Sequence, residues 1–302
     1  MSTDWHGRPR PTWWTAVLAV LVVAVAFGAV IIFGKTEQPQ ALPPAAANTT
    51  PPPPPPAPLP APATDALTAD FAALQERLGG EIGITVAPAG GNSPGVSFGP
   101  WTTGAAWSTS KVPVAIAAFR YDGLTEPSQA MTAAITHSDN AAAEAMWSGL
   151  GDPRTAADAV DAVLREYGDP TVVQSQRVRP GFTAFGQTQW ALTDQAHFAA
   201  AALCDPRNAP VVGLMGQISG DQRWGLGVID GSRFKGGWGP TEAGGYLVRQ
   251  FGLMPTPTGT AAVAIAVQPG SGSFGDGTAA MTEIASWLAS HAADVPSGSC
   301  AT

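Results

Sequence analysis

Lysine is scarce in this chain. Of 302 residues only Lys35, Lys111 and Lys235 are lysines, and arginine carries the remaining basic charge. Charged residues make up 13% and the net charge is -8, so no nucleic-acid partner is expected, because such partners leave a basic footprint. The four histidines, His6, His137, His197 and His291, are scattered and form no H-E-x-x-H or similar ligand spacing. No metal and no cofactor is expected. The two cysteines, Cys204 and Cys300, are far apart and form no C-x-x-C.

What is present divides the chain. Residues 1–12 are polar, with Arg8 and Arg10, and an uncharged apolar run from Trp13 to Gly34 ends at Lys35. The run has the length of a membrane-spanning helix, with Trp13, Trp14 and Phe33 placed as interfacial aromatics. It predicts a single anchor with a cytoplasmic N-terminus; the rival is a signal peptide cleaved near Ala45-Ala46-Ala47. Residues 35–64 are rich in Pro and Ala, with consecutive prolines from Pro51 to Pro56. Such a linker extends as polyproline II at roughly 3.1 Å per residue and cannot pack a core. The folded domain is then 65–302, outside the cytoplasm. In that oxidising space the two cysteines are expected to pair, with two separate buried thiols as the alternative.

Within the domain the pattern predicts a helix over 64–79, strands over 81–87 and 95–98, and a helix from Ser108 to about Asp122. Further helices are expected over 127–136, 141–150, 153–167, 193–203 and 210–218, with 169–189 irregular. Strands over 245–254 and 260–268 and a helix over 279–293 close the chain. This order predicts an α+β fold: an antiparallel sheet flanked by helices, with a helical subdomain inserted.

The chemistry starts at Ser108-Thr109-Ser110-Lys111. Ser108 in the first turn of a helix puts Lys111 one turn on, on the same face. A serine hydroxyl needs a base beside it, and a lysine serves only if burial or a nearby cation lowers its pKa. The two lysines after the linker both fall in motifs: this one and Lys235-Gly236-Gly237. Between them lies Ser138-Asp139-Asn140, which also reads as an ordinary helix N-cap.

S-x-x-K, S-D-N and K-T-G in this order are the signature of class A β-lactamases and penicillin-binding proteins, and the chain resembles that superfamily over about 64–293. The resemblance implies that Ser108 is acylated, Lys111 takes its proton and Ser138 passes one to the leaving atom. It implies that Asn140 holds the substrate amide, that Gly236, Gly237 and Trp238 line the substrate, and that the N–H groups of Ser108 and Trp238 form the oxyanion hole. Lys235 is expected to attract a substrate carboxylate and to lower Lys111 by repulsion.

Three departures stand out. Gly236 replaces the usual hydroxyl residue, with the bulky Trp238 two positions on. The interval from Ser108 to Ser138 is shorter than in class A enzymes, so a shortened helical subdomain is expected. The loop that carries the family's water-activating glutamate corresponds to about 169–188, which holds Gln174, Gln176, Arg177 and Arg179 but no glutamate. Glu144 and Glu166 lie on helices outside it and are not expected to act as bases. The expected function is a membrane-anchored serine acyl-enzyme acting on a β-lactam or peptidoglycan-like amide or ester, slow to deacylate. The alternative is a retired scaffold that binds a cell-wall ligand or a protein. Arg223 and Arg249 are candidates to replace the missing hydroxyl.

Overall fold

A computed structural model describes residues 65–91, 93 and 95–300. The anchor and linker expectations for 1–64 fall outside them. Among the described residues no helix is long and apolar enough to cross a membrane.

The centre is a five-stranded antiparallel sheet. Its strands are β1 (Glu81–Pro88), β2 (Val96–Phe98), β5 (Arg233–Pro240), β6 (Tyr246–Thr256) and β7 (Gly259–Gln268), in the order β2-β1-β7-β6-β5. Residues 82–87 of β1, 247–254 of β6 and 261–267 of β7 are buried without alternation, so both faces of the sheet are covered. On one side α1 (Asp65–Leu78) and α8 (Phe274–Ser290) meet through Phe71 and Trp287, whose rings lie 5.4 Å apart, each packing on Phe98 of β2. Helix α6 (Leu192–Ala202) packs on β1, β6 and β7.

The helical block is α2 (Lys111–Tyr121), α3 (Gln129–Thr136), α4 (Asn140–Gly149), α5 (Pro153–Glu166) and α7 (Ala209–Leu214). Helix α2 is buried from Lys111 through Phe119 and contacts the other four. A helix apolar all round is the hub that the rest must cover. Asp139 caps α4 by accepting from Ala142 N at 2.8 Å, and Asp152 caps α5. Cys204, just after α6, is bridged to Cys300.

Several boundaries differ from the sequence reading. Strand β5 carries Gly236, Gly237 and Gly239, which hide its strand character. Two short strands, β3 (Thr103–Ala105) and β4 (Gln189–Ala191), form a ribbon that the pattern did not predict, because three residues carry no periodicity. Helix α8 starts five residues earlier than the pattern indicated, capped by Ser273. Its Gly277 packs on β6: a Cβ there would come within 2.7 Å of Val248 Cγ2. Helix α7 stops at Leu214.

Candidate active site

Ser108 sits in the 3-10 turn Trp107–Ser110, which runs straight into α2. Trp107, Thr109 and Ser110 are buried, whereas Ser108 is half-exposed. Trp107 holds a left-handed backbone, φ 49°, uncommon for a bulky residue and a local strain that the surroundings must offset. Those surroundings are polar and closed. Ser110 Oγ donates to Trp107 O at 2.7 Å, and Thr109 Oγ1 accepts from Gln195 Nε2 at 3.0 Å. Beneath lies Arg249 of β6, wholly buried. It donates to Gly104 O at 2.8 Å, Ala105 O at 3.1 Å, Trp190 O at 3.1 Å and Gln195 Oε1 at 2.7 Å. Arg249 thus fixes the chain leading to Ser108 and has no access to a substrate. Arg223 is exposed and not among the residues lining the Ser108 cleft.

The two lysines converge on Ser138. Lys111 Nζ donates to Ser138 O, to Asn140 Oδ1 at 2.8 Å and to Ser138 Oγ at 3.3 Å. Lys235 Nζ donates to the same hydroxyl at 3.0 Å and to Gly236 O at 2.9 Å. Ser138 is left-handed, φ 57°, so its carbonyl and hydroxyl both face the ammonium groups. Both lysines are buried. Burial lowers Lys111 from its ordinary 10.5 to about 7, with Asp139 pulling the other way. Lys235 is also well below its ordinary value, through burial first and Lys111 second. The expectation that repulsion by Lys235 does the lowering is corrected here: at Lys111 the dominant cause is loss of water.

Strand β5 is the sheet edge facing the turn. A Cβ on Gly237 would come within 2.8 Å of Ser108 N and 2.9 Å of Thr109 N. On Gly239 it would meet the Trp107 ring at 2.5 Å. These glycines let the edge strand lie directly against the Ser108 turn. A cleft of about 410 Å³ opens here, lined by Ser108, Asn140, Glu144, Arg177, Trp238 and Tyr246 among others.

Glu144 is the residue that sequence reading left out of the cleft. It follows Asn140 by four positions on α4, the spacing that shares a helix face, and that spacing was the available signal. Its Oε1 forms an ion pair with Arg177 of the 169–188 loop, 2.9 Å from Nη2. The loop is tied down elsewhere by Trp190 Nε1, which donates to Asp169 Oδ2 at 2.7 Å, and by Arg179, which donates to Pro240 O at 2.6 Å. Arg179 also lies over Phe182, 4.9 Å from the ring centre. Gln174 lines a neighbouring cavity with Trp101 and Gln189, not the Ser108 cleft. Glu166 pairs with Arg120 and Arg207 instead.

No family model and no curated protein matches the chain. Solved structures do. A variant of the last common ancestor of Gram-negative bacteria class A β-lactamase is 19% identical, with a TM-score of 0.55, over 74% of this chain and 97% of that one. The TLA-3 extended-spectrum β-lactamase is 12% identical, with a TM-score of 0.61, over 76% and 98%. The class A β-lactamase from Mycobacterium abscessus is 13% identical, with a TM-score of 0.57, over 74% and 97%. Five antiparallel strands, the covering helices and these likenesses together identify the fold of the described domain as that of class A β-lactamases.

Proposed function

We propose that this chain is a serine acyl-enzyme of the β-lactamase and penicillin-binding type, acting on an amide or ester such as a β-lactam or a peptidoglycan-like peptide. The observation that carries the reading is the buried convergence of Lys111 and Lys235 on Ser138, with Lys111 three residues on from Ser108 where the 3-10 turn enters α2. A lysine near 7 is substantially neutral at neutral pH. Neutral Lys111 has two N–H groups, given to Ser138 O and Asn140 Oδ1, and its lone pair, which lies against Ser138 Oγ at 3.3 Å, turns to Ser108 to take the proton.

The reaction then runs as follows. Lys111 takes the proton, and Ser108 Oγ bonds to the carbonyl carbon. The oxyanion accepts from the N–H groups of Ser108 and Trp238. The bond to the leaving atom breaks, that atom takes the Ser138 hydroxyl proton, and Lys111 returns one to Ser138. Lys235 donates to Ser138 Oγ, which leaves that oxygen's own hydrogen free to be given away. Deacylation needs a base for water, and the one carboxylate described in the cleft is held by Arg177. The ester is therefore long-lived. The Trp13–Gly34 run anchors the domain on the outer side of a membrane, a placement supported by the Cys204–Cys300 bridge.

Intact-protein mass over time with a penicillin and a nitrophenyl ester tests this. One equivalent of adduct that decays slowly is expected, and none in Ser108→Ala. No adduct from either donor overturns it in favour of a retired scaffold, the reading that the occupied Glu144 and the missing hydroxyl at Gly236 would then support.

A further inference from the structure

Two rings, Trp238 and Tyr246, line the Ser108 cleft, and two more pack against them outside its lining. Phe274, at the start of α8, stands 5.4 Å from Trp238 and 5.8 Å from Tyr246, and Trp224 completes the group at 6.0 Å from Trp238. All four are only half-buried.

Trp224 is held in place by the sheet. Gln250 is the register partner of Gly236 and is wholly buried. Its Nε2 donates to Trp224 O at 2.7 Å and its Oε1 accepts from Leu226 N at 2.7 Å. The turn so held sets the indole over Gly236, where a Cβ would meet Trp224 Cη2 at 3.0 Å. A serine or threonine at 236 would press on that ring. The absent hydroxyl and the present indole are one feature.

The cations in and beneath the cleft are engaged; outside it Arg223, beside Trp224, is exposed and among the described residues reaches only Gly227 O at 3.5 Å. Lys111 and Lys235 are buried and donate inside the protein. Arg249 is buried under the Ser108 turn, and Arg177 is paired with Glu144. Among the described residues lining the cleft, no cation is left unpaired to receive an anion. A carboxylate placed here would lose water and gain no partner, whereas a flat apolar group would bury its faces and edges on the rings.

Resting on the acyl-enzyme reading, we propose that the Trp224–Trp238–Tyr246–Phe274 wall is a subsite for an uncharged, ring-bearing group of the substrate, and that it selects against a carboxylate at that position. Calorimetric binding of N-acetylphenylalaninamide and N-acetylphenylalanine to the unmodified protein reads this without any covalent step. The amide should bind at least about tenfold more tightly, and Trp224→Ala and Phe274→Ala should each reduce that ratio. Trp224→Ala/Gly236→Thr, which clears the ring and adds a hydroxyl, should reduce it further. Equal or tighter binding of the carboxylate, or a ratio unmoved in both single variants with unchanged thermal unfolding, overturns the proposal. Labelling of Ser108 by a nitrophenyl acetate is followed separately. Its absence refutes the acyl-enzyme reading and leaves the binding ratio to decide the subsite.

Discussion

The two sides of the Ser108 cleft are built on opposite principles. On the side of α2, α4 and β5, two buried lysines, a serine in a left-handed backbone and an amide are joined by hydrogen bonds, with both lysines on the Ser138 hydroxyl. On the loop side an arginine reaches across and occupies the one carboxylate described in the cleft. The first arrangement suits forming an ester. The second leaves little to break it. Under the proposed function, forming and hydrolysing an acyl-enzyme are separable in this fold, because the groups assigned to each come from different elements.

The largest expected effect is on the first side. Lys111→Ala should slow labelling of Ser108 by about 10²–10⁴-fold, the usual range for a lost proton acceptor. In the unaltered protein the acylation rate should rise with pH through about 7, since only neutral Lys111 accepts the proton. A pH-independent rate between 5.5 and 8.5 would remove Lys111 from the mechanism. The same group enters stability. Below about 7 Lys111 is protonated in both states; between about 7 and its ordinary 10.5 the folded state binds fewer protons than the unfolded one. Its contribution to stability therefore rises with pH across that window.

A middle-sized effect is expected where the two sides meet at the edge strand. Gly237→Ala places a methyl against backbone, 2.8 Å from Ser108 N, with no flexible side chain to give way. The strand must retreat from the turn. Acylation should fall at least about tenfold, with a stability loss of about 1–3 kcal/mol from overpacking. Gly213→Ala, where a Cβ meets nothing within 4 Å, is the control and should leave acylation unchanged.

How much of this was legible in the sequence follows from what each signal rests on. Lys111 and Lys235 stood out because only three lysines occur in the chain, and Ser138 and Asn140 because they share one short motif; the structure brings the four side chains together. The fold class followed from long periodic segments such as α1, β1 and α8. Strand β5 was hidden because its glycines leave no alternation to read, and β3 and β4 because they are too short. Trp224 over Gly236 was hidden because it depends on Gln250, fourteen residues on from Gly236 and opposite it only once β5 and β6 pair. Arg249 was a candidate from sequence to replace the hydroxyl missing at Gly236. Its partners turned out to be backbone carbonyls beneath the site.

The smallest effects test the other side, through Glu144. With Arg177 in place, Glu144→Gln should change the decay of the acyl-enzyme by less than about twofold, because the carboxylate is already engaged. Arg177→Ala should release it into the cleft it lines with Ser108 and Asn140. A freed carboxylate can take a proton from water, so decay should quicken by about tenfold, the low end for general-base help at an unoptimised position. Removing one end of an exposed ion pair costs little stability, so the fold should tolerate the change. Arg177→Ala/Glu144→Gln should return decay to the original rate. If Arg177→Ala alone is without effect, Glu144 does not reach the ester and the slow step has another cause. If Glu144→Gln alone slows decay tenfold or more, the carboxylate works despite its arginine, and the contrast between the two sides of the cleft disappears.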